Sequence, residues 1–213
     1  MFIDREDAGI QLSKELSKYK GDDVVVVAIP RGGLPVAEKV AKSLKAPLDI
    51  ALVKKLGHPV NKEYAIGAVG LNNVVLSNML DIPKDYIERE TIRVREILKK
   101  RYHQYYGDYS PKNLEAKTVI IIDDGIATGN TVMATVELTK AEHPAKIVVA
   151  IPVAPKTAVL MLRNSPIVDE VACLFIPQNF QAVGQFYRYF SQVSDEEVIS
   201  ILKNFREDMP DTR

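Results

Sequence analysis

The chain has 213 residues, of which 46% are hydrophobic and 26% charged, with 28 Lys plus Arg set against 28 Asp plus Glu. That excludes a disordered chain, argues against a general nucleic-acid coat, and allows a substantial core without covalent staples. A single cysteine, Cys173, excludes an internal disulfide framework and a multi-cysteine metal site. The charged opening MFIDREDAG does not read as a secretory signal, and the longest apolar runs, 24–29 and 119–122, are too short to span a bilayer. The expectation is a soluble cytoplasmic protein in a reducing compartment, folded as one domain over 1–213.

Residues 5–19 carry Ile10, Leu12, Leu16 and Tyr19 at roughly helical spacing. The run VVVVAIP from Val24 suits a buried strand, and a helix is expected over about 34–44 after Gly32-Gly33. Residues 48–53 read as a second strand, and 54–65 (KKLGHPVNKEYA) as a long loop without period. Residues 66–77 read as two short strands turning at Asn72-Asn73. The longest helix is expected over 84–106, with acids early and bases late, as the helix dipole favours. Strands follow at 118–123, 147–151 and 168–175, with helices at about 128–141 and 155–163 between them. Ser194 and Glu197 fit a capping box opening a last helix to about Phe205. Strands alternating with helices imply an α/β fold with a central, mainly parallel sheet flanked by helices.

The most informative stretch is VIIIDDGIATGNT, Val119 to Thr131. An apolar strand ends in two carboxylates, then a small-residue loop opens a helix. Gly125, Ala127, Thr128 and Gly129 leave backbone N–H groups uncovered at a helix N-terminus, where a phosphate monoester binds. The hydroxyls of Thr128 and Thr131 add donors. Asp123 and Asp124 are placed to accept hydrogen bonds from a vicinal diol. A phosphate and a diol at this separation describe a ribose 5-phosphate. The pattern matches neither GxxxxGK[ST] nor GxGxxG, which disfavours a P-loop NTPase and a dinucleotide fold.

This segment resembles the phosphoribosyl-diphosphate (PRPP) motif of the type I phosphoribosyltransferases. The resemblance implies that fold, with a small C-terminal hood over the sheet at about 175–192, and binding of the 5-phosphate by Gly125, Ile126, Ala127, Thr128, Gly129, Asn130 and Thr131. It places the pyrophosphate on Arg31, Gly32 and Gly33, with Lys54 or Lys55 at the head of a mobile loop over 54–65. It makes Asp123, Asp124, Arg31, Lys54 and Lys55 the catalytic set, and Phe180, Phe186 and Tyr187 the rings that stack on an acceptor base. The other reading of those rings is packing of the hood onto the sheet. No direct protein ligand to a metal is assigned; Mg²⁺ would be held mainly through PRPP, with Asp123 and Asp124 through water.

The implied activity is Mg²⁺-dependent transfer of the phosphoribosyl group from PRPP to a nitrogenous acceptor, with release of pyrophosphate, by a homodimer. The combination of PRGG at 30–33, KxxGHPVNxEYAIGAV and QAVGQFY most resembles a subgroup of the family whose acceptor is not assigned. Ala127 stands where the hypoxanthine–guanine members carry an aspartate, which puts a 6-oxopurine handled by that aspartate in doubt. Glu63 and His58 are candidate proton carriers in the loop, each also readable as structural. The alternative on the same fold is a regulator that senses PRPP or a nucleotide. Its one supporting feature is the basic, aromatic stretch Arg93–Tyr106, which otherwise reads as the solvated face of a long helix.

Overall fold

The computed structural model describes residues 1–61, 65–76, 82–107 and 109–209. In chain order the elements are α1 (Arg5–Glu15), β1 (Val24–Ala28), α2 (Gly33–Leu44), β2 (Leu48–Ile50), β3 (Lys54–Gly57), β4 (Ala65–Val69) and β5 (Val74–Leu76). Then come α3 (Lys84–Tyr106), β6 (Thr118–Ile122), α4 (Asn130–Lys140), β7 (Lys146–Val153), α5 (Lys156–Arg163), β8 (Glu170–Phe175) and α6 (Asp195–Asp208).

Five strands form a parallel sheet in the order β2-β1-β6-β7-β8. The run of four valines in β1 lies between two neighbours, with Val26 opposite both Leu48 and Ile120. Both faces of β1 are buried, which is why it reads as an unbroken apolar run instead of an alternation. On one face, Val26, Ile120 and Ile122 pack with Leu12, Leu34, Val40, Leu98 and Leu202 from α1, α2, α3 and α6. On the other, Val25, Val27 and Ile121 pack with Val132, Val136 and Leu162 from α4 and α5. Local signals set the helix starts. Asp4 caps α1 by accepting from the Asp7 N–H at 2.8 Å, and Ser194 Oγ caps α6 by accepting from the Glu197 N–H at 3.2 Å.

One expectation is corrected. Residues 54–57, read as the start of a loop, form β3, which pairs antiparallel with β4 in a separate sheet of order β3-β4-β5. Four residues interrupted by a bulge at Leu56/Gly57 are too few to show a period. Its partner is glycine-dependent: a Cβ on Gly67, opposite Leu56, would lie 2.3 Å from the Val75 carbonyl oxygen. The second strand ends at Ile50, short of Val53, and the first helix stops at Glu15 before a 3₁₀ turn over Ser17–Tyr19. The hairpin at Asn72-Asn73 forms as expected, and Asn73 Nδ2 anchors it by donating to the Leu138 carbonyl at 3.1 Å.

The hood is built from two distant stretches of chain. The Phe2 N–H donates to the Phe186 carbonyl at 2.8 Å, and the Arg188 and Tyr189 N–H groups return to the carbonyls of Phe2 and Ile3 at 2.9 Å each. Phe2, Ala8, Val153, Phe186 and Tyr187 make a small core of their own.

Candidate active site

In the order β2-β1-β6-β7, the chain leaves β1 toward β2 on one side and β6 toward β7 on the other, so a crevice opens at the carboxyl ends of β1 and β6. Such switch points are where open α/β sheets bind ligands. The Pro30-to-Gly33 loop after β1 and the Asp123-to-Gly129 loop after β6 meet there. They touch so closely that glycine is required at two positions. A Cβ on Gly32 would lie 2.1 Å from Asp124 Oδ2, and one on Gly33 would lie 2.6 Å from the Ile122 carbonyl oxygen. The Pro30–Arg31 peptide bond is cis.

Asp123 and Asp124 sit side by side at the end of β6, and Asp123 Oδ1 accepts from the Asp124 N–H at 2.9 Å. Burial pushes the Asp123 carboxyl well above the usual carboxylate range, and the neighbouring Asp124 charge pushes the same way. Asp124 Oδ2 accepts from Arg5 Nε at 2.8 Å, with only 11% and 14% of the two side chains exposed. Arg5 also donates through Nη1 to the Ser191 carbonyl at 2.7 Å and lies 3.9 Å over the Phe190 ring. Tyr187 donates its hydroxyl to the Asp124 carbonyl at 2.5 Å. Its hydroxyl is shifted upward by burial and then by the Asp124 charge. Arg5, Arg31, Gly32, Asp124, Phe190 and Ser191 thus border an open cleft of about 360 Å³ between the two loops and the hood.

The loop after Asp124 encloses a second space of about 160 Å³, bordered by Asp123, Gly125, Ala127, Thr128, Gly129 and Thr131. Ala127, Thr128, Asn130 and Thr131 are exposed. The N–H groups of Ala127, Thr128 and Gly129 bond to no described residue, leaving them aimed outward at the start of α4. Gly129 holds φ at +83°, a left-handed conformation that lets the chain turn into the helix.

Ile126 is a correction to the expected phosphate contacts: its side chain is buried and its N–H donates to the Val153 carbonyl at 3.0 Å. Gly33 is another, because its N–H donates to the Ile29 carbonyl at 3.0 Å as α2 begins. The motif shows which residues stand in the loop, but the strand ends beside it decide which amides remain open.

Arg31 lies 3.7 Å from Asp195, which also accepts from the Tyr105 hydroxyl. That hydroxyl is pushed up to about 12 by burial and by Asp195, with Arg101 and Arg31 opposing. Lys54 and Lys55 are consecutive in β3 and face opposite ways, Lys54 half-buried and Lys55 exposed. Phe186 and Tyr187 lie in the hood's own core, and the half-buried Phe180 stacks on Phe186 at 5.6 Å between ring centroids. The expected stacking role for Phe186 and Tyr187 is corrected on this ground: neighbouring side chains cover both rings. His58 accepts from the Val60 N–H at 3.2 Å within its turn. Glu63 lies outside the described residues.

Sequence reading missed Arg5 and Phe190. Neither lies in a motif, and both reach the site only because the segment at Phe2 is stitched to the hood. Among the described residues no group of three or more His, Cys, Asp or Glu side chains could hold a metal by itself. No helix among them is long and apolar enough to cross a membrane.

A sequence model described as the phosphoribosyl transferase domain matches residues 4–187. The chain therefore belongs to the phosphoribosyl transferase family. Two Mycobacterium tuberculosis proteins, named "Putative phosphoribosyl transferase MT0597" and "Putative phosphoribosyl transferase Rv0571c", are each 41% identical to it over 216 residues, covering 98% of this chain and 48% of the relative. The chain thus spans about half the length of the curated relatives it matches. Among solved structures, TT1426 from Thermus thermophilus is 38% identical, with a TM-score of 0.85, covering 96% of this chain and 98% of its own.

Proposed function

We propose that the chain transfers a 5-phosphoribosyl group from PRPP to a nitrogenous acceptor, most simply a nucleobase, with release of pyrophosphate. The observation that carries this reading is the convergence at one switch point of open N–H groups at the start of α4, the Asp123–Asp124 pair, and the Arg31-Gly32 turn. The first group suits a phosphate monoester, the second a ribose diol, and the third a pyrophosphate.

In this reading the bond from C1 of the ribose to the pyrophosphate oxygen breaks, a bond from C1 to the acceptor nitrogen forms, and the proton lost from that nitrogen passes to the departing pyrophosphate or to solvent. The amides of Ala127, Thr128 and Gly129 fix the 5-phosphate and so place C1 over the carboxylates. Asp124, held by Arg5, accepts from a ribose hydroxyl. Asp123, which burial favours in its protonated form, shares a proton with the second hydroxyl. Arg31 stabilises negative charge as it develops on the leaving pyrophosphate. The substrate's own pyrophosphate and ribose oxygens make a hard donor set that fits Mg²⁺, and the Asp124 carboxylate beside Asp123 would help hold the ion through water. When bound, Mg²⁺ supplies charge neutralisation at the pyrophosphate. Arg5 and Phe190, at the hood side of the cleft, face the acceptor.

The test is pyrophosphate release from PRPP with Mg²⁺ across a panel of nucleobases, beside the double substitution Asp123→Asn, Asp124→Asn. The expected result is release that depends on one acceptor and falls on the order of a thousandfold in the double variant. Full activity in that variant would overturn the site. PRPP binding without release on any acceptor would favour a sensor of PRPP.

A further inference from the structure

A second cation faces the leaving-group side of the crevice. Arg101 lies on α3, one helical turn before Tyr105, and so on the same helix face. Tyr105 donates to Asp195, and Asp195 lies 3.7 Å from Arg31, so this face of α3 looks toward the loop after β1. Arg101 itself borders a small pocket with Pro30 from that loop, Val53 just before β3, and Thr131 at the start of α4. It is exposed, and it forms no ion pair or hydrogen bond with any described residue.

Arg31 is matched by carboxylates, Asp195 at 3.7 Å and the neighbouring Glu196, whereas Arg101 pairs with none among the described residues, although both arginines act on the Tyr105 hydroxyl. An arginine with all five N–H donors open, aimed at a pocket floored by the Pro30 turn, suits an anion with several oxygens.

From this geometry we infer that Arg101 binds the pyrophosphate group of the substrate, together with Arg31, as the second jaw of a two-arginine clamp. The inference rests on the phosphoribosyl-transfer reading of the site and adds to it a residue that no sequence motif marks. Arg101 would be used differently from its neighbours Lys99 and Lys100, which lie beside it in sequence but on other faces of the helix. It ties α3, an element outside the phosphate loops, to leaving-group recognition.

The experiment measures binding of Mg²⁺-pyrophosphate and, separately, of ribose 5-phosphate by calorimetry to the full chain, its Arg101→Gln and Arg101→Lys variants, and Lys100→Gln. Arg101→Gln is expected to weaken pyrophosphate about tenfold and leave ribose 5-phosphate unchanged, with Arg101→Lys in between and Lys100→Gln like the parent. Melting temperatures of the four proteins check that the fold is kept. Unchanged pyrophosphate affinity in Arg101→Gln overturns the inference, as does equal weakening by Lys100→Gln, which would mean a diffuse field and no clamp. If the parent binds ribose 5-phosphate but not pyrophosphate, the inference falls while the phosphate loop stands. If it binds neither, the phosphoribosyl reading falls with it.

Discussion

Single atoms decide the site. Gly32 has no side chain because Asp124 occupies the place where one would be, with Oδ2 2.1 Å from the position of a Cβ. Gly32→Ala must therefore push Asp124 aside and loosen its pair with Arg5. The expected outcome is a loss of about 100-fold in kcat/KM for PRPP, the scale of a 1 Å misplacement, with a melting temperature lowered by only a few degrees. Steady-state kinetics beside a thermal melt checks this, and an Ala variant with parental kinetics would mean that the position of Asp124 does not matter. At this scale the sequence was legible where local order is sufficient: the two aspartates, the small-residue loop and the Pro-Arg-Gly-Gly turn lie together in space as they do in pattern. It was illegible where an atom's partner comes from a distant strand. The Ile126 amide is taken by Val153 and the Gly33 amide by Ile29, and nothing inside either motif announces it.

At the scale of elements, long periodic segments declared themselves and short ones did not. All of α3 was readable from its apolar spacing, whereas β3 is four residues with a bulge. Beside β3, Asp49 in β2 joins three segments. Its carboxylate accepts from the Ile50 N–H at 2.8 Å, the Lys112 N–H at 2.7 Å and the Tyr106 hydroxyl. Burial still outweighs those bonds and raises the carboxyl above 3.8. A group whose folded value is raised adds stability that is fully present below its unfolded value and is lost as pH rises through the folded one. The parent is therefore expected to lose stability relative to Asp49→Asn as pH climbs from about 3.8 toward neutrality. Urea unfolding of both proteins at several pH values reads this directly. A stability difference independent of pH would show that Asp49 titrates alike in both states.

The whole molecule is a sheet with a core on each face and a third, smaller core in the hood. The third depends on Phe2, whose ring lies 5.2 Å from that of Tyr187 and is 5% exposed. Phe2→Ala should cost about 3 kcal/mol where Phe2 packs. It should also free the hood without unfolding the sheet, because the sheet's two cores do not include it. Hydrogen exchange is expected to quicken at residues 186–189 while β1 and β6 keep their protection. Uniform loss across the sheet would show that hood and sheet unfold as one unit. This closure was invisible in the sequence, since two edges of a bridge 185 residues apart carry no shared period.

The same bridge sets an order on the ribosome. Phe2 precedes Tyr187 by 185 residues, so it cannot pair until Tyr187 has emerged, roughly 10–40 s later at ordinary elongation rates. For that interval the nascent chain can form β1, β6 and the phosphate loop, yet Arg5 has no Ser191 carbonyl to hold it and the cleft has no roof. On the proposed reading, the growing chain therefore completes its phosphate loop before the hood that faces the acceptor, and a product cut short of residue 187 is expected to lack that hood.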